Sequence, residues 1–282
     1  MLLRHIYIIF IVLFLSCEGN EECIVPIELK EGQFLLNVSI NNSKDKLLLF
    51  DTGAEITVIT PEIAKELEID YIRSLKMVIR SDTLNLPFCS INSVTICNRS
   101  CNLPNVAVID INKNLNTDTF RIDGILGSDF IKNFVITIDY NDKKLIFENN
   151  SSLKKKKSNA TKVKINGFLG SVPYIEVNKS IDDTSVTRYI IDTGIIFNVI
   201  PKREIKKYGQ NLEMTPYCLK SPFYLKSCEK TLIDFGIKEN LTIENLEVLT
   251  YKNEIGLIGC NYLQHFNITF DYRNKCMYFE KY

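Results

Sequence analysis

The chain has no tryptophan and only two histidines in 282 residues. His5 lies in an apolar N-terminal segment, which leaves His265 as the one imidazole of the folded part. Hydrolysis through a Ser–His or Cys–His pair would depend on that single side chain, and a lone histidine at a helix end is ordinarily structural or solvated. Net charge is also missing. The 34 Lys and Arg balance 34 Asp and Glu, so neither nucleic acid nor an acidic membrane surface is indicated as a partner. Charge runs are scarce: Lys154-Lys155-Lys156-Lys157 is the long one, inside the polar stretch 149–161, which reads as a solvated linker. Cys89, Cys97 and Cys101 lack a paired C-x-x-C and a nearby histidine, so no metal is expected, and no cofactor is called for.

What is present begins with a targeting pattern. Arg4 and His5 precede a ten-residue apolar run, Ile6 to Leu15, which is short for a membrane-spanning helix. Phe14-Leu15-Ser16-Cys17 follows, then the acidic, polar stretch Glu18 to Glu22. Residues 1–17 resemble a bacterial lipoprotein signal with Cys17 as the lipidated first residue of the mature chain; an ordinary cleaved secretory signal is the alternative. Either reading puts the folded part outside the cytoplasm: lipid-anchored at a bacterial cell envelope in the first case, secreted or periplasmic in the second. Without Cys17 eight cysteines remain, an even number that suits disulfides in an exported chain. Sequence alone leaves the connectivity open. Proximity suggests Cys97–Cys101 and Cys218–Cys228, with Cys260–Cys276 joining a helix start to the last strand.

The strongest signal is repetition. Residues 124–148 and 256–280 align without a gap, and ten of the 25 positions are identical, among them Phe134/Phe266, Thr137/Thr269, Asp139/Asp271 and Tyr140/Tyr272. Upstream, Leu49-Phe50-Asp51-Thr52-Gly53 matches Ile190-Ile191-Asp192-Thr193-Gly194, and each triplet is followed by three residues, then a polar one (Thr57, Asn198) and Val-Ile. The two halves therefore carry the same blocks in the same order, as residues 24–149 and 162–282 on either side of a linker at 150–161.

Periodicity places these blocks on a mostly β framework. Phe34 to Ile40 and Lys46 to Phe50 flank Asn41-Asn42-Ser43 as a hairpin that runs into Asp51. Tyr174 to Val177 and Thr187 to Ile191 do the same before Asp192. Short helices are expected at 61–67 and 201–208, each with an early proline, and single turns at 129–133 and 261–265. Strands follow at 135–140 and 267–272, with closing hairpins at 144–148 and 276–280. In each triplet, glycine permits a tight turn that presents the aspartate at a loop tip. Threonine supplies a hydroxyl that can bond across to the other half, and the downstream segments Ile125-Leu126-Gly127 and Leu257-Ile258-Gly259 supply a buried strand behind the turn.

Two such triplets, followed by apolar-apolar-Gly segments, resemble the aspartic proteases of the retropepsin/pepsin group. Asp123-Gly124-Ile125-Leu126-Gly127 is close to the pepsin-like form, and halves of about 120 residues are nearer in size to a retropepsin subunit. The resemblance implies two homologous closed β-barrel lobes forming a pseudo-twofold, monomeric enzyme with a central cleft. It also implies an Asp51–Asp192 dyad that activates water against a peptide bond of a peptide or protein substrate, with Thr52, Gly53, Thr193 and Gly194 supporting it. A covering hairpin is expected near 76–88 and near 217–228, where Tyr217 and Tyr224 are substrate-contact candidates. One departure stands out: Ala54 follows the first triplet, but Ile195 follows the second, where the family carries a small residue. A β-branched side chain there is expected to crowd the dyad or to reshape the second lobe. A non-catalytic relative that binds peptide or protein is therefore the second reading.

Overall fold

A computed structural model describes residues 23–30, 32–79, 82–113, 121–178, 186–205, 213–215, 228–251 and 254–282. Cys17, Tyr217, Cys218 and Tyr224 lie outside the described residues, and so does the Cys218–Cys228 pairing.

The first half runs β1 (Cys23–Pro26), β2 (Glu28–Lys30), β3 (Gln33–Ile40), β4 (Lys46–Phe50), β5 (Val58–Ile59), α1 (Pro61–Glu66), β6 (Tyr71–Ile79), β7 (Asp82–Ile96), β8 (Arg99–Val108), β9 (Gly124–Leu126), α2 (Ser128–Ile131), β10 (Val135–Asp139) and β11 (Lys144–Phe147). Helix α3 (Asn150–Asn159) leads into the second half. That half continues β12 (Thr161–Lys164), β13 (Gly167–Leu169), β14 (Val172–Asn178), β15 (Val186–Ile191), β16 (Asn198–Pro201), α4 (Lys202–Ile205), β17 (Glu213–Thr215), β18 (Cys228–Gly236), β19 (Thr242–Tyr251), β20 (Gly256–Ile258), α5 (Cys260–Leu263), β21 (Asn267–Asp271) and β22 (Cys276–Glu280).

Each half builds one eight-stranded sheet, and the two sheets share a strand order: β2-β3-β4-β9-β5-β8-β7-β6 against β13-β14-β15-β20-β16-β19-β18-β17. The directions match as well. The strand entering each triplet is parallel to the apolar-apolar-Gly strand, as β4 with β9 and β15 with β20. In the first half β3 also pairs with β7, which closes β3-β4-β9-β5-β8-β7 into a six-stranded barrel. Among the described residues the second half has no corresponding β14–β18 ladder.

A third sheet belongs to both halves. Its order is β1-β11-β10-β21-β22-β12, and its central pair β10–β21 is antiparallel with Thr137 opposite Thr269. These are equivalent positions of the repeat. The pseudo-twofold therefore passes between them, where the two hydroxyls hydrogen-bond at 2.7 Å. One hydrophobic core runs through both halves, from Phe34, Phe50 and Phe130 to Tyr262, Phe266 and Phe270.

Local chemistry explains the elements. The β3–β4 hairpin turns on Asn41 and Asn42, both at positive φ (50° and 61°), which asparagine tolerates better than most residues. Helix α1 starts on Thr60, whose hydroxyl accepts from Ile63 N, and has Pro61 in its first turn. The expected linker holds a helix. Residues 150–159 hold no proline or glycine, lysine is a good helix former, and Asn149 caps the start by accepting from Ser152 N at 2.8 Å. Leu153 then anchors the helix against Cys276 and Tyr278.

Two expected disulfides are corrected. Cys97 sits at the positive-φ tip of the β7–β8 hairpin and bonds to Cys23 of β1, whereas Cys101 lies along β8 opposite Val94 and is free. Cys260 and Cys276 are both buried free thiols with other partners: Cys260 donates to Thr193 O and Cys276 to the Tyr278 hydroxyl. The Cys23–Cys97 bridge closes a loop with a sequence separation of 74. Non-reducing peptide mapping is expected to recover that pair, and Cys97→Ser to lower the unfolding free energy by about 2–5 kcal/mol in chemical denaturation.

Candidate active site

The two triplets are suspended in the same way. Asp51 N donates to Leu126 O and Asp192 N to Ile258 O, each at 3.0 Å, so each aspartate hangs from the buried strand behind it. The carboxylates are then held by their own turns. Asp51 Oδ1 accepts from Gly53 N at 2.7 Å and Ala54 N at 3.0 Å, and Asp192 Oδ1 accepts from Gly194 N at 3.0 Å.

The threonines between them join the halves. Thr52 Oγ1 donates to Ile191 O at 2.7 Å and accepts from Thr193 N at 3.2 Å. Thr193 Oγ1 donates to Phe50 O at 2.9 Å and accepts from Thr52 N at 3.0 Å. Both side chains are fully buried, so every polar atom of this four-bond exchange is removed from water and satisfied only across the junction. A further contact crosses from outside the repeat blocks: Gln33 Nε2 donates to Gly194 O.

The glycines have a reason beyond the tight turn. A methyl group at Gly53 would lie inside the Asp192 carboxyl group, and one at Gly194 inside that of Asp51. Each aspartate thus packs against the opposite triplet at a distance only glycine allows, and the two carboxyl groups are brought to one place.

A second layer supports the turns from behind. Thr57 Oγ1 accepts from Gly127 N at 3.1 Å and donates to Asp129 Oδ1 at 2.7 Å, and Thr57 N donates to Asp129 Oδ2 at 3.0 Å. The second half does the same with amides: Asn198 Oδ1 accepts from Gly259 N at 2.7 Å, and Asn261 Oδ1 from Asn198 N at 2.9 Å. Ser128 N donates to Ala54 O at 2.8 Å and Cys260 N to Ile195 O at 2.9 Å. The main chain around Ile195 therefore keeps the frame found around Ala54.

Burial raises the pKa of Asp129, offset in part by hydrogen bonds from Thr57 and Phe130 and by the charge of Lys132. Burial, followed by the neighbouring Asp192 and Asp51 carboxylates, pushes the Cys260 thiol far above its ordinary range.

Of the residues singled out in sequence, Asp51, Thr52, Gly53, Asp192, Thr193 and Gly194 converge on this junction. The expected covering hairpin of the first half falls on β6–β7. Positions missed by the motif are Gln33, Ser128, Cys260, Asp129 and Asn261. All but Gln33 are paired in the 25-residue repeat, a signal available by reading its polar matches as closely as its identities.

Residues 36–130 match the family model described as aspartyl protease. Over that span the chain is similar to this aspartyl protease family. A crystal structure of a retropepsin-like aspartic protease from Rickettsia conorii is similar at 22% identity, over 46% of this chain and 91% of that one, with a TM-score of 0.33. No curated protein matches the chain.

Two outcomes are expected of this frame. Thr52→Val leaves Thr193 N and Ile191 O buried without partners, so urea denaturation should show a loss of about 1–3 kcal/mol per orphaned group. Adding Thr193→Val should cost less than its single-variant loss, because the two side chains share one network. Thr57→Val strips a donor from Asp129. The raised pKa means the folded state keeps this proton where the unfolded chain has released it, so stability falls as pH rises from the ordinary aspartate value through the raised one. The loss caused by Thr57→Val should accordingly be larger above the raised pKa, where Asp129 is ionised, than below the ordinary aspartate pKa. Denaturation at the two pH values measures the difference.

Proposed function

We propose that the chain is an exported aspartic endopeptidase in which Asp51 and Asp192 form the catalytic dyad. The observation that carries this reading is the threonine exchange, which sets each aspartate against the glycine of the opposite triplet. Two carboxyl groups held this close disfavour double ionisation and share a proton. The ionised member takes a proton from a water placed between them as that water attacks the peptide carbonyl. The protonated member gives its proton to the developing oxyanion, and the leaving amine is then protonated as the tetrahedral intermediate collapses. No covalent acyl-enzyme is involved. The turn N–H groups of Gly53, Ala54 and Gly194 keep the carboxylates oriented throughout.

The substrate class is a peptide or protein segment, taken by a monomer that contains both halves of the site. Export rests on the N-terminal pattern: residues 1–17 form a lipoprotein-type signal cleaved before Cys17, which stays as the lipid anchor at the cell envelope. A first residue of diacylglyceryl-Cys17 in the mature chain, read by mass spectrometry, supports anchoring, whereas an unmodified N-terminus in the same experiment removes it.

The activity test is a peptide-library cleavage assay from acid to neutral pH, using chain from Glu18 onward so that the Cys23–Cys97 bridge is kept. Asp51→Asn and Asp192→Asn are each expected to abolish cleavage while the protein stays folded. Cleavage at the wild-type rate by either variant rules out the dyad, and peptide binding without cleavage by the wild type would establish the non-catalytic reading.

A further inference from the structure

The shared six-stranded sheet has two faces, and they are covered differently. Along β22 the side chains alternate. Met277 and Phe279 join the main core, which includes Phe50 and Ile191 directly before the two aspartates. Cys276 and Tyr278 face the other way and pack against Leu153 of α3, with Val135 of β10 alongside. Helix α3 therefore lies on the outer face of the shared sheet, and the Asp51–Asp192 junction lies beyond the other. Apart from Leu153 the helix is polar: it reads Asn150-Ser151-Ser152-Leu153-Lys154-Lys155-Lys156-Lys157-Ser158-Asn159, with no acidic residue. Lys154, Ser158 and Asn159 are exposed. Four lysines in succession occupy more than one helical turn. The zero net charge of the whole chain does not cancel such a cluster, because salt limits exposed charges to a range of about 10 Å.

The N-terminal segment meets the folded part beside this helix. Strand β1 begins at Cys23, which pairs with Phe147 of β11, three residues before α3 starts. The bridge to Cys97 holds Cys23 at that edge of the sheet. Only residues 18–22 separate Cys23 from Cys17. Even fully extended, that stretch spans about 20 Å. A lipid on Cys17 therefore keeps the edge of the shared sheet, and the start of α3 with it, close to the headgroups of the membrane it enters.

We propose that α3 is a membrane-docking surface: the Lys154–Lys157 run meets anionic lipid headgroups of the membrane that carries the Cys17 anchor, and the dyad faces away from the bilayer. The placement rests on the lipid-anchor reading. An acyl anchor on a short tether holds the protein at the surface but leaves it free to turn. A basic helix beside the tether supplies a second point of contact and fixes which side is presented to substrate. Leu153 turns inward to the sheet rather than outward, so the contact is electrostatic and involves no insertion of α3 into the acyl region.

The test uses the chain from Glu18 onward, which lacks the anchor, sedimented at low salt with phosphatidylcholine vesicles made with and without phosphatidylglycerol. Binding is expected only to vesicles that contain phosphatidylglycerol, and it should weaken as salt rises. The variant Lys154→Gln/Lys155→Gln/Lys156→Gln/Lys157→Gln should bind several hundredfold more weakly, about fivefold for each lysine. Glutamine is as good a helix former as lysine, so α3 is kept. The control removes the same charge elsewhere: Lys44→Gln/Lys65→Gln/Lys76→Gln/Lys113→Gln changes four exposed lysines, none on α3 or the shared sheet, and should bind as the wild type does. The docking surface is overturned by equal weakening in the two variants, by binding that ignores phosphatidylglycerol, or by no binding of the wild type. Tighter binding to a DNA duplex than to the anionic vesicles, lost with the α3 lysines, assigns the run to a soluble polyanion and overturns it too. The anchor is read separately, by the mass of residue 17. Diacylglyceryl-Cys17 without α3-dependent binding removes only the docking surface, and α3-dependent binding with an unmodified Cys17 removes only the anchor.

Discussion

The four hydrogen bonds exchanged by Thr52 and Thr193 are the interaction on which the rest depends. They form at a junction with no access to water, so each donor and acceptor left unmade would carry its full desolvation cost. That makes the exchange close to all-or-none. It fixes the separation of the two triplets, and with it the approach of each aspartate to the opposite glycine. A looser junction would leave two separately solvated carboxylates, which ionise independently and cannot divide acid and base roles between them.

The shared six-stranded sheet gives that exchange its rigidity. Four bonds alone could pivot. The Thr137–Thr269 contact lies on the same pseudo-twofold, and the β10–β21 ladder spans it. Two points on one axis, joined by a continuous core, leave the halves little freedom to rotate. The Cys23–Cys97 bridge works elsewhere, pinning the outer strand of this sheet to the tip of the β7–β8 hairpin.

Much of this was legible in the sequence because the features were local and written twice. Alternation gave β3, β4 and β15 nearly to the residue and the middle of β14, and Asp-Thr-Gly gave the triplets with a threonine suited to bonding across. The shared sheet was not legible. Val135 to Tyr140 and Asn267 to Tyr272 read correctly as strands, but periodicity says nothing about partners 130 residues away. The helix within the linker was not legible for a related reason: Lys154 to Lys157 reads as solvated charge, and solvated charge is compatible with a helix once Asn149 caps it and Leu153 finds a contact. The Cys97–Cys101 pairing was misjudged because nearness in sequence was taken for nearness in space. A strand rises about 3.3 Å per residue, so β8 carries Cys101 away from the hairpin tip, and Cys97 found its partner in β1.

The unequal halves are best understood by asking which atoms carry the frame. The bonds that suspend the triplets and tie the helices to the turns come largely from the main chain, as in Asp192 N to Ile258 O and Cys260 N to Ile195 O. Main-chain bonds do not depend on side-chain identity, so Ile195 replaces Ala54 without disturbing them. Where a side chain is itself the connector, the replacement preserves function rather than identity. Thr57 becomes Asn198, Asp129 becomes Asn261 and Ser128 becomes Cys260, and each still offers an oxygen, amide or thiol to the equivalent main-chain group. The one pair kept unchanged in this layer, Thr52 and Thr193, has to donate and accept at once within a buried space, and a hydroxyl does both. Divergence has therefore been free at the residues flanking the triplets and restricted to polar exchanges behind them. It stopped at the threonines, where the two halves must satisfy each other.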